Sequence, residues 1–496
     1  MPDPRTPVIV GVGQVSQHED DPAAALEPVA LLEQAVRQAA DDTGVGDRLL
    51  DRADTVGVVE IVSWRYPDPG AALSRRLRIE PRSTVTTTTG GNSPQMLLNE
   101  MCDRIAAGTA DVVLMGGAEC LRTRRRARVE PRTWLEWETG PDVPCPDVLG
   151  VDRDGSSTVE KEAGLTAPIV VYPLFDTAQR HASGLSPEAH RRRTADLYAG
   201  FSEVAAANPH AWSTDAFTAD DIATPGAGNR LVVAPYTLRL CANEAVDMAA
   251  ALLVCSYEAA LGAGIARDRM VFPLAGSDGV DVWNITERLS WSTSPGLGAT
   301  VDAAFEAVGI DADGVSRFDL YSCFPSAVRA AMAALGLAGP GGGDDRPLTV
   351  TGGLSFAGAP VSNYVTHSIA SMVQECRADP GSVGMTTAVG WYLTKHAAGL
   401  FASAPPTAGW RHAAADDRHL EAVRSFAPAA GVPPTTEVTV EATAVVVDRD
   451  GAPSHAVVSA LLDDGSRTVA TVESPDVCAA MVDEAWEGRR LTIGDL

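Results

Sequence analysis

The chain has 496 residues, of which 45% are hydrophobic and 21% charged, and its 39 basic against 65 acidic residues leave a net charge of −26. That length exceeds what one hydrophobic core usually serves, so more than one domain is expected. The acidic balance argues against a nucleic-acid binder or a membrane-surface binder, and no stretch approaches the ~20 apolar residues of a membrane helix.

Val8–Val12 reads as a first buried strand and not as a signal peptide, because the apolar run is short. From Glu27 to Thr43 the residues Val29, Leu32, Val36 and Ala39 recur at helical spacing. Asp54–Val62 and Thr84–Thr89 read as strands, followed by a Gly90-Gly91 turn, a helix from Pro94 to Ala107 and a strand at Val112–Met115. Strands alternating with helices predict a parallel or mixed α/β sheet. From Glu119 to Arg239 the regularity fails, with helical pieces such as Ser186–Asn208; an insertion of that length is usually functional. A helix-like and buried-strand pattern resumes over Glu244–Gly264. A second α/β half follows, with Met270–Leu274, Gly298–Val308, Phe318–Tyr321 and its helix to Leu335, Leu348–Gly353 and Met385–Trp391. Beyond Ala402, Glu437–Arg449, Ala456–Leu462 and Arg467–Glu473 alternate like antiparallel strands joined by Asp450-Gly451 and Asp464-Gly465 turns, with a short helix at Pro475–Glu484. The eight cysteines are scattered without a Cys-x-x-Cys pair, which fits reduced thiols in a cytoplasmic protein, and no cluster has metal-ligand spacing, so no metal is expected.

Gly90-Gly91-Asn92-Ser93, the helix to Ala107-Gly108, and Asp111-Val112-Val113-Leu114-Met115-Gly116-Gly117-Ala118-Glu119 together resemble the thiolase family. So do Phe318-Asp319-Leu320-Tyr321-Ser322-Cys323-Phe324, Gly352-Gly353 to Gly358-Ala359-Pro360, and Thr386 to Trp391, and the resemblance spans Val8 to Leu400. Its sterol-carrier-type branch is the nearer match, through Arg192-Arg193, Asn208-Pro209-His210-Ala211-Trp212 and Asn229-Arg230. The resemblance implies a duplicated, five-layered α/β fold with residues 1–118 and 240–268 as the first half, 119–239 as an inserted loop domain and 269–402 as the second half. Residues 403–496 read as an additional β-rich domain, a small barrel of the oligonucleotide/oligosaccharide-binding kind, such as type 1 thiolase-like proteins carry.

Thiolase chemistry requires a thiolate nucleophile, a histidine to activate it, a second acid/base and oxyanion donors. By the resemblance Gly91 stands in the nucleophile's place and Ala359 in the histidine's. Cys102 lies on the following helix as a buried structural thiol. His367, eight residues past Ala359, is ~12 Å along a helix and is read as structural. Cys323 keeps the position of a family acid/base cysteine, with Tyr321 in place of the neighbouring histidine; Cys323 and Tyr321 are the candidate catalytic residues, with Tyr364 as a further hydroxyl. The backbone N–H groups of Gly91 and Gly390 are candidate oxyanion donors. Arg122, Arg124, Arg125, Arg126 and Arg128, with Arg191–Arg193 farther on, are candidates for coenzyme A phosphates, since a planar guanidinium suits phosphate.

The expected function is therefore binding of coenzyme A or an acyl-CoA as ligand, with no permanently bound cofactor and little ordinary thiolase activity. The alternatives are a retro-aldol lyase acting on acyl-CoA through Tyr321, and a non-catalytic scaffold that recruits another enzyme through the C-terminal domain. A homodimer is the family's default, formed through the strand before the nucleophile; the additional domain leaves a monomer open.

Overall fold

The computed structural model describes residues 2–129, 132–337 and 345–496. Two sheets form the body. The first runs in the spatial order Pro7–Ser16, Asp247–Ser256, Val112–Cys120, Thr55–Val58, Ser83–Thr87 and Val148–Leu149; the second runs Arg317–Asp319, Val383–Gly390, Lys395–Ala402, Phe272–Val280 and Arg411–Ala414. The same sequence of ladders, parallel then antiparallel then antiparallel, recurs in both, so the chain folds as two like halves.

Between the sheets lie helices Ser93–Ala106 and Tyr364–Ala378, each touching strands of both halves. Helix Pro28–Asp42 covers the outer face of the first sheet and Pro295–Val308 that of the second. This makes the five layers that the thiolase resemblance implied. The middle helices are buried on nearly all faces, as a helix packed between two sheets must be: Leu97, Leu98, Met101 and Ile105 are fully buried, as are Val365, Ile369 and Val373. Burying each such side chain is worth about 1.5–3 kcal/mol. Both middle helices start beside the cavity described below, which fixes its position at the junction of the halves.

The insertion contributes helices Pro168–Ala182 and Pro187–Ala207. Buried Asp176 joins them to the second half: it meets His190 Nε2 at 2.8 Å and accepts from Arg329 at 2.6 Å. The C-terminal residues form a small antiparallel sheet, Arg467–Val472, Pro453–Leu462 and Glu437–Val447, with Arg490–Thr492 beside the last.

Two features differ from the boundaries read in the sequence. Strand Leu231–Ala234 of the insertion pairs with Glu437–Val447, so residues 119–239 and 403–496 share one sheet. Arg411–Ala414 extends the second-half sheet, which carries that half past residue 402. The C-terminal sheet has a small core of its own on one face, where Val440, Val445, Ala456, Val458 and Val472 meet Cys478 and Met481; on the other face Ala442, Ala444, Val457 and Val469 pack into the main hydrophobic core, and Arg467, fully buried, donates to Glu441 and to the carbonyls of Thr286 and Arg288. Among the described residues no ladder joins the two ends of this sheet into a ring.

The edge of strand Ser83–Thr87, through which family dimers pair, is occupied by the chain's own Val148–Leu149, in register with Thr86 and Thr87. Among the described residues no helix is long and apolar enough to cross a membrane.

Candidate active site

A cavity of about 430 Å³ lies where the two halves and the insertion meet. Its walls come from the Thr89–Gly91 turn, from Tyr321–Phe324, from the loops around Ala359–Ser362 and Val389–Trp391, from the insertion's Tyr172, and from Glu244 just after the insertion. Four of the stretches that the motifs singled out, Gly90-Gly91, Phe318–Phe324, Gly352–Pro360 and Thr386–Trp391, therefore converge on one place, although they are up to about 300 residues apart in the chain.

Gly91 and Tyr321 are in direct opposition. A Cβ on Gly91 would overlap both the hydroxyl and the ring of Tyr321, and also the carbonyl of Val389. The space beside Gly91 is thus filled, not vacant. Tyr321 is 6% exposed, its backbone N–H is held by Thr387 Oγ1 at 3.0 Å, and its ring meets that of Tyr364 edge-on at 5.7 Å. Its hydroxyl makes no hydrogen bond among the described residues, although it belongs to a wall of the cavity. Burial, reinforced by Cys323 and Glu244, raises its pKa well above the ordinary phenol range. It is consequently a standing O–H donor and a poor base.

Cys323 faces the same cavity, and burial pushes its thiol up to about 12. It too is a neutral donor, not the thiolate that nucleophilic chemistry needs. Ala359 lies in the wall with its N–H bonded to the carbonyl of Asn243 at 2.9 Å. Tyr364 is not at the cavity: its hydroxyl is engaged by Asp319 at 2.9 Å and Thr351 at 2.6 Å, which ties helix Tyr364–Ala378 to the second sheet. His367 is buried with Nδ1 on Gln14 at 2.9 Å, and burial lowers its pKa to about 3. Cys102 is fully buried in the middle layer.

The expected pair of oxyanion donors is only half present. Gly91 lines the cavity and its N–H has no acceptor among the described residues. Gly390 does not line it. The carbonyl of Val389 points toward Gly91, and in a trans peptide the following N–H points the opposite way, so that of Gly390 faces away. The Gly90 N–H is taken by Ser362 Oγ at 3.0 Å.

Backbone strain gathers around the cavity. Val361 has φ +44° and Trp391 φ +56°, and both are wall residues. A β-branched residue in the left-handed region is unusual, and such outliers persist where surrounding structure holds them for a function. Under the turns lies Lys395, which is 4% exposed and donates to the carbonyl of Thr89 at 2.5 Å. Its ammonium would stand 2.8 Å from a Cβ on Gly90. Burial lowers its pKa to about 8, with the carboxylates of Glu60 and Asp152 opposing.

The arginines divide by helix face. Helix Leu121–Ala127 turns Arg122 and Arg126 toward Asp20, with Arg122 at 2.5 Å from its carboxylate and Arg126 donating to its carbonyl at 2.8 Å. Arg125 pairs with Glu244 at 3.2 Å. Arg124 reaches the carbonyl of Val62 at 3.3 Å, and Arg128 makes no ion pair among the described residues. Of the five, then, Arg125 is held at the cavity through Glu244. Arg192 of the second group pairs with Asp196 and Asp220.

Glu244 is the one carboxylate in the cavity wall and was not found by sequence reasoning. It precedes the strand Asp247–Ser256 in an unremarked Ala242-Asn243-Glu244 run, and only the fold brings it opposite Tyr321. Lys395 was missed likewise; the one available signal was that lysine occurs just twice in the chain, at Lys161 and Lys395.

The family model of the thiolase-like protein type 1 additional C-terminal domain matches residues 421–495. A monomeric SCP2-thiolase-like protein type 1 (STLP1) from Mycobacterium smegmatis is similar over 99% of this chain and 97% of its own, with 29% identity and a TM-score of 0.82. The Ltp2-ChsH2(DUF35) aldolase covers 81% of this chain and 98% of its own at 19% identity and a TM-score of 0.60. Human mitochondrial 3-ketoacyl-CoA thiolase in complex with CoA covers 81% and 98% at 15% identity and a TM-score of 0.55. These last two share the fold. Among curated proteins none matches the chain.

Proposed function

We propose that this chain, which matches the thiolase-like protein type 1 additional C-terminal domain over residues 421–495 and is similar over 99% of its length to a type 1 SCP2-thiolase-like protein, binds coenzyme A thioesters in the 430 Å³ cavity without forming an acyl-enzyme. The observation that carries this reading is the Tyr321 hydroxyl, set against Gly91 in place of a nucleophile and left without a protein partner. That hydroxyl opens on the cavity, and a thioester carbonyl would accept a hydrogen bond from it. The N–H of Gly91 is a second donor for the same oxygen. Neither group can carry an acyl chain, so thiolysis is lost while recognition of the carbonyl is retained. Binding of acetyl-CoA measured by calorimetry, with intact-mass analysis of the same mixture, tests it. Heat of binding without an added acyl mass is expected; an acyl adduct, or no binding of any thioester, overturns it.

Glu244 favours a second reading, in which the cavity cleaves a β-hydroxyacyl-CoA by retro-aldol chemistry. Such a step needs an acceptor for the hydroxyl proton and a donor to the thioester enolate, and no covalent intermediate. Tyr321 and Cys323 are neutral donors, so the acceptor's part falls to the Glu244 carboxylate. The aldolase named above shares this fold, and that is all it contributes. Aldehyde or ketone release from a panel of β-hydroxyacyl-CoAs decides between the readings.

We read the chain as a cytoplasmic protein of lipid metabolism and as a monomer, because Val148–Leu149 covers the pairing edge in cis and an edge strand once paired offers no ladder. Recruitment of another enzyme through the C-terminal domain is compatible with all of this.

A further inference from the structure

Apart from the cavity, the chemistry of one groove is left without a role. It has a volume of about 420 Å³ and is lined by Trp64, Arg124, Arg128, Arg132, Trp134 and Leu135. Trp134 is 88% exposed, the most exposed of the large hydrophobic side chains described. Trp64 is braced on the other side by Trp137, edge-on at 5.1 Å. An indole left in water at the rim of a groove, opposite a second indole held rigid, is the arrangement of an aromatic clamp.

The arginines of this groove differ from their neighbours. Residues at i and i+4 share a helix face, and around helix Leu121–Ala127 the pair Arg122/Arg126 is neutralised by Asp20 and Arg125 by Glu244. Arg124 and Arg128 form the third face. Among the described residues neither has a carboxylate partner, and Arg124 has a single carbonyl contact. In a chain with 65 acidic residues, two guanidiniums that meet no carboxylate among the described residues leave their donors available to an outside anion. Phosphate is the anion their planar forks suit best.

We propose that the Trp64–Trp134 groove is a binding site for a purine nucleotide, the base lying against the indoles and the phosphates on Arg124 and Arg128. The groove's size is that of a small-molecule site. The ligand has two possible sources, a free adenine nucleotide or the nucleotide end of coenzyme A; only the second rests on the thioester reading above.

The test is calorimetry and tryptophan fluorescence on the full chain with adenosine 3′,5′-bisphosphate, ADP, coenzyme A and pyrophosphate, at low and high salt. The two nucleotides are expected to bind, to quench tryptophan emission and to weaken with salt. Arg124→Gln with Arg128→Gln should weaken nucleotide binding about tenfold or more per arginine, the scale of a charge-assisted hydrogen bond. Trp134→Leu should weaken it about fivefold or more, the scale of a base stacked on an aromatic ring. Arg126→Gln, on the Asp20 face, should leave it unchanged. Binding by coenzyme A alone, lost in the same variants, identifies the coenzyme as the source. Binding that survives these variants, pyrophosphate that binds as tightly as ADP, or no binding by any nucleotide overturns the site. Coenzyme A that still binds in groove variants that have lost ADP would leave the thioester reading intact and identify the free nucleotide as the groove's ligand; ADP that still binds in them would sink the groove alone, and ADP binding with no thioester binding would sink the thioester reading alone.

Discussion

The hydroxyl of Tyr321 occupies the space into which any Cβ on Gly91 would project. The two residues come from opposite halves of the chain and exclude each other's alternatives: a cysteine at the turn needs a smaller partner, and a tyrosine at the strand end needs a glycine. A side chain at position 91 therefore calls for a second change at Tyr321, which a single substitution does not supply.

Gly91→Cys should destabilise the protein by about 1–3 kcal/mol, the usual cost of overpacking a filled site. Gly91→Cys with Tyr321→Ala should recover part of that loss, because the clash is relieved; residues in contact couple by about 0.5–3 kcal/mol. Urea melts of the four proteins of this cycle measure it, and additive losses would mean that the two residues do not compete for the space. No acyl-enzyme is expected from either variant with acetyl-CoA, since Ala359 supplies no base.

Tyr321→Phe removes one oxygen that has no hydrogen-bond partner among the described residues, so its melting temperature should be close to that of the wild type. Should a β-hydroxyacyl-CoA be cleaved, the variant's turnover should fall about 100-fold, the scale of a lost general acid. Equal turnover by both proteins would remove the tyrosine from the chemistry.

His412 bridges the halves' outer edge, with Nδ1 on Asp103 at 2.5 Å and Nε2 on Asp278 at 2.7 Å. Burial opposes its charge, but the two carboxylates outweigh that and raise its pKa to about 10. A folded pKa above the unfolded value of ~6.5 adds stability that is complete below pH ~6.5 and lost as pH rises through about 10. The stability gap between wild type and His412→Gln should thus be widest near pH 6 and close toward pH 10.5. Parallel melting curves of stability against pH would show that the bridge carries no charge.

Ending the chain at Ala402 should not leave a native α/β body. It would strip the partner from Leu231–Ala234, uncover the core at Ala442 and Val457, and remove the Arg467 contacts to Thr286 and Arg288. One cooperative calorimetric transition for the whole chain, and a truncated chain that melts far lower or aggregates, are the outcomes expected. A truncated chain with unchanged melting would show the C-terminal sheet to be an independent unit.

The amino-acid sequence alone determined the parts that depend on local pattern. Helix Pro28–Asp42 was legible because Val29, Leu32, Val36 and Ala39 fall on one face, and strand Glu437–Val447 because its residues alternate between two faces. Gly91 and Ala359 were readable as empty positions because they sit inside spaced motifs. What lay beyond pattern was everything set by approach through space. Strand Lys395–Ala402 was missed because a strand buried on both faces shows no alternation. Helix Pro168–Ala182 was hidden by its internal Pro173. The sharing of one sheet between Leu231–Ala234 and Glu437–Val447 joins residues some 200 positions apart, and no local rule reports such a ladder. The sequence could say that Gly91 bears no thiol; only the tertiary structure decided that Tyr321 fills the space beside it, that Glu244 faces the same cavity, and that Asp20 and Glu244 hold Arg122, Arg126 and Arg125 while Arg124 and Arg128 meet no carboxylate among the described residues, because these depend on which side chains the packed halves bring within reach of one another.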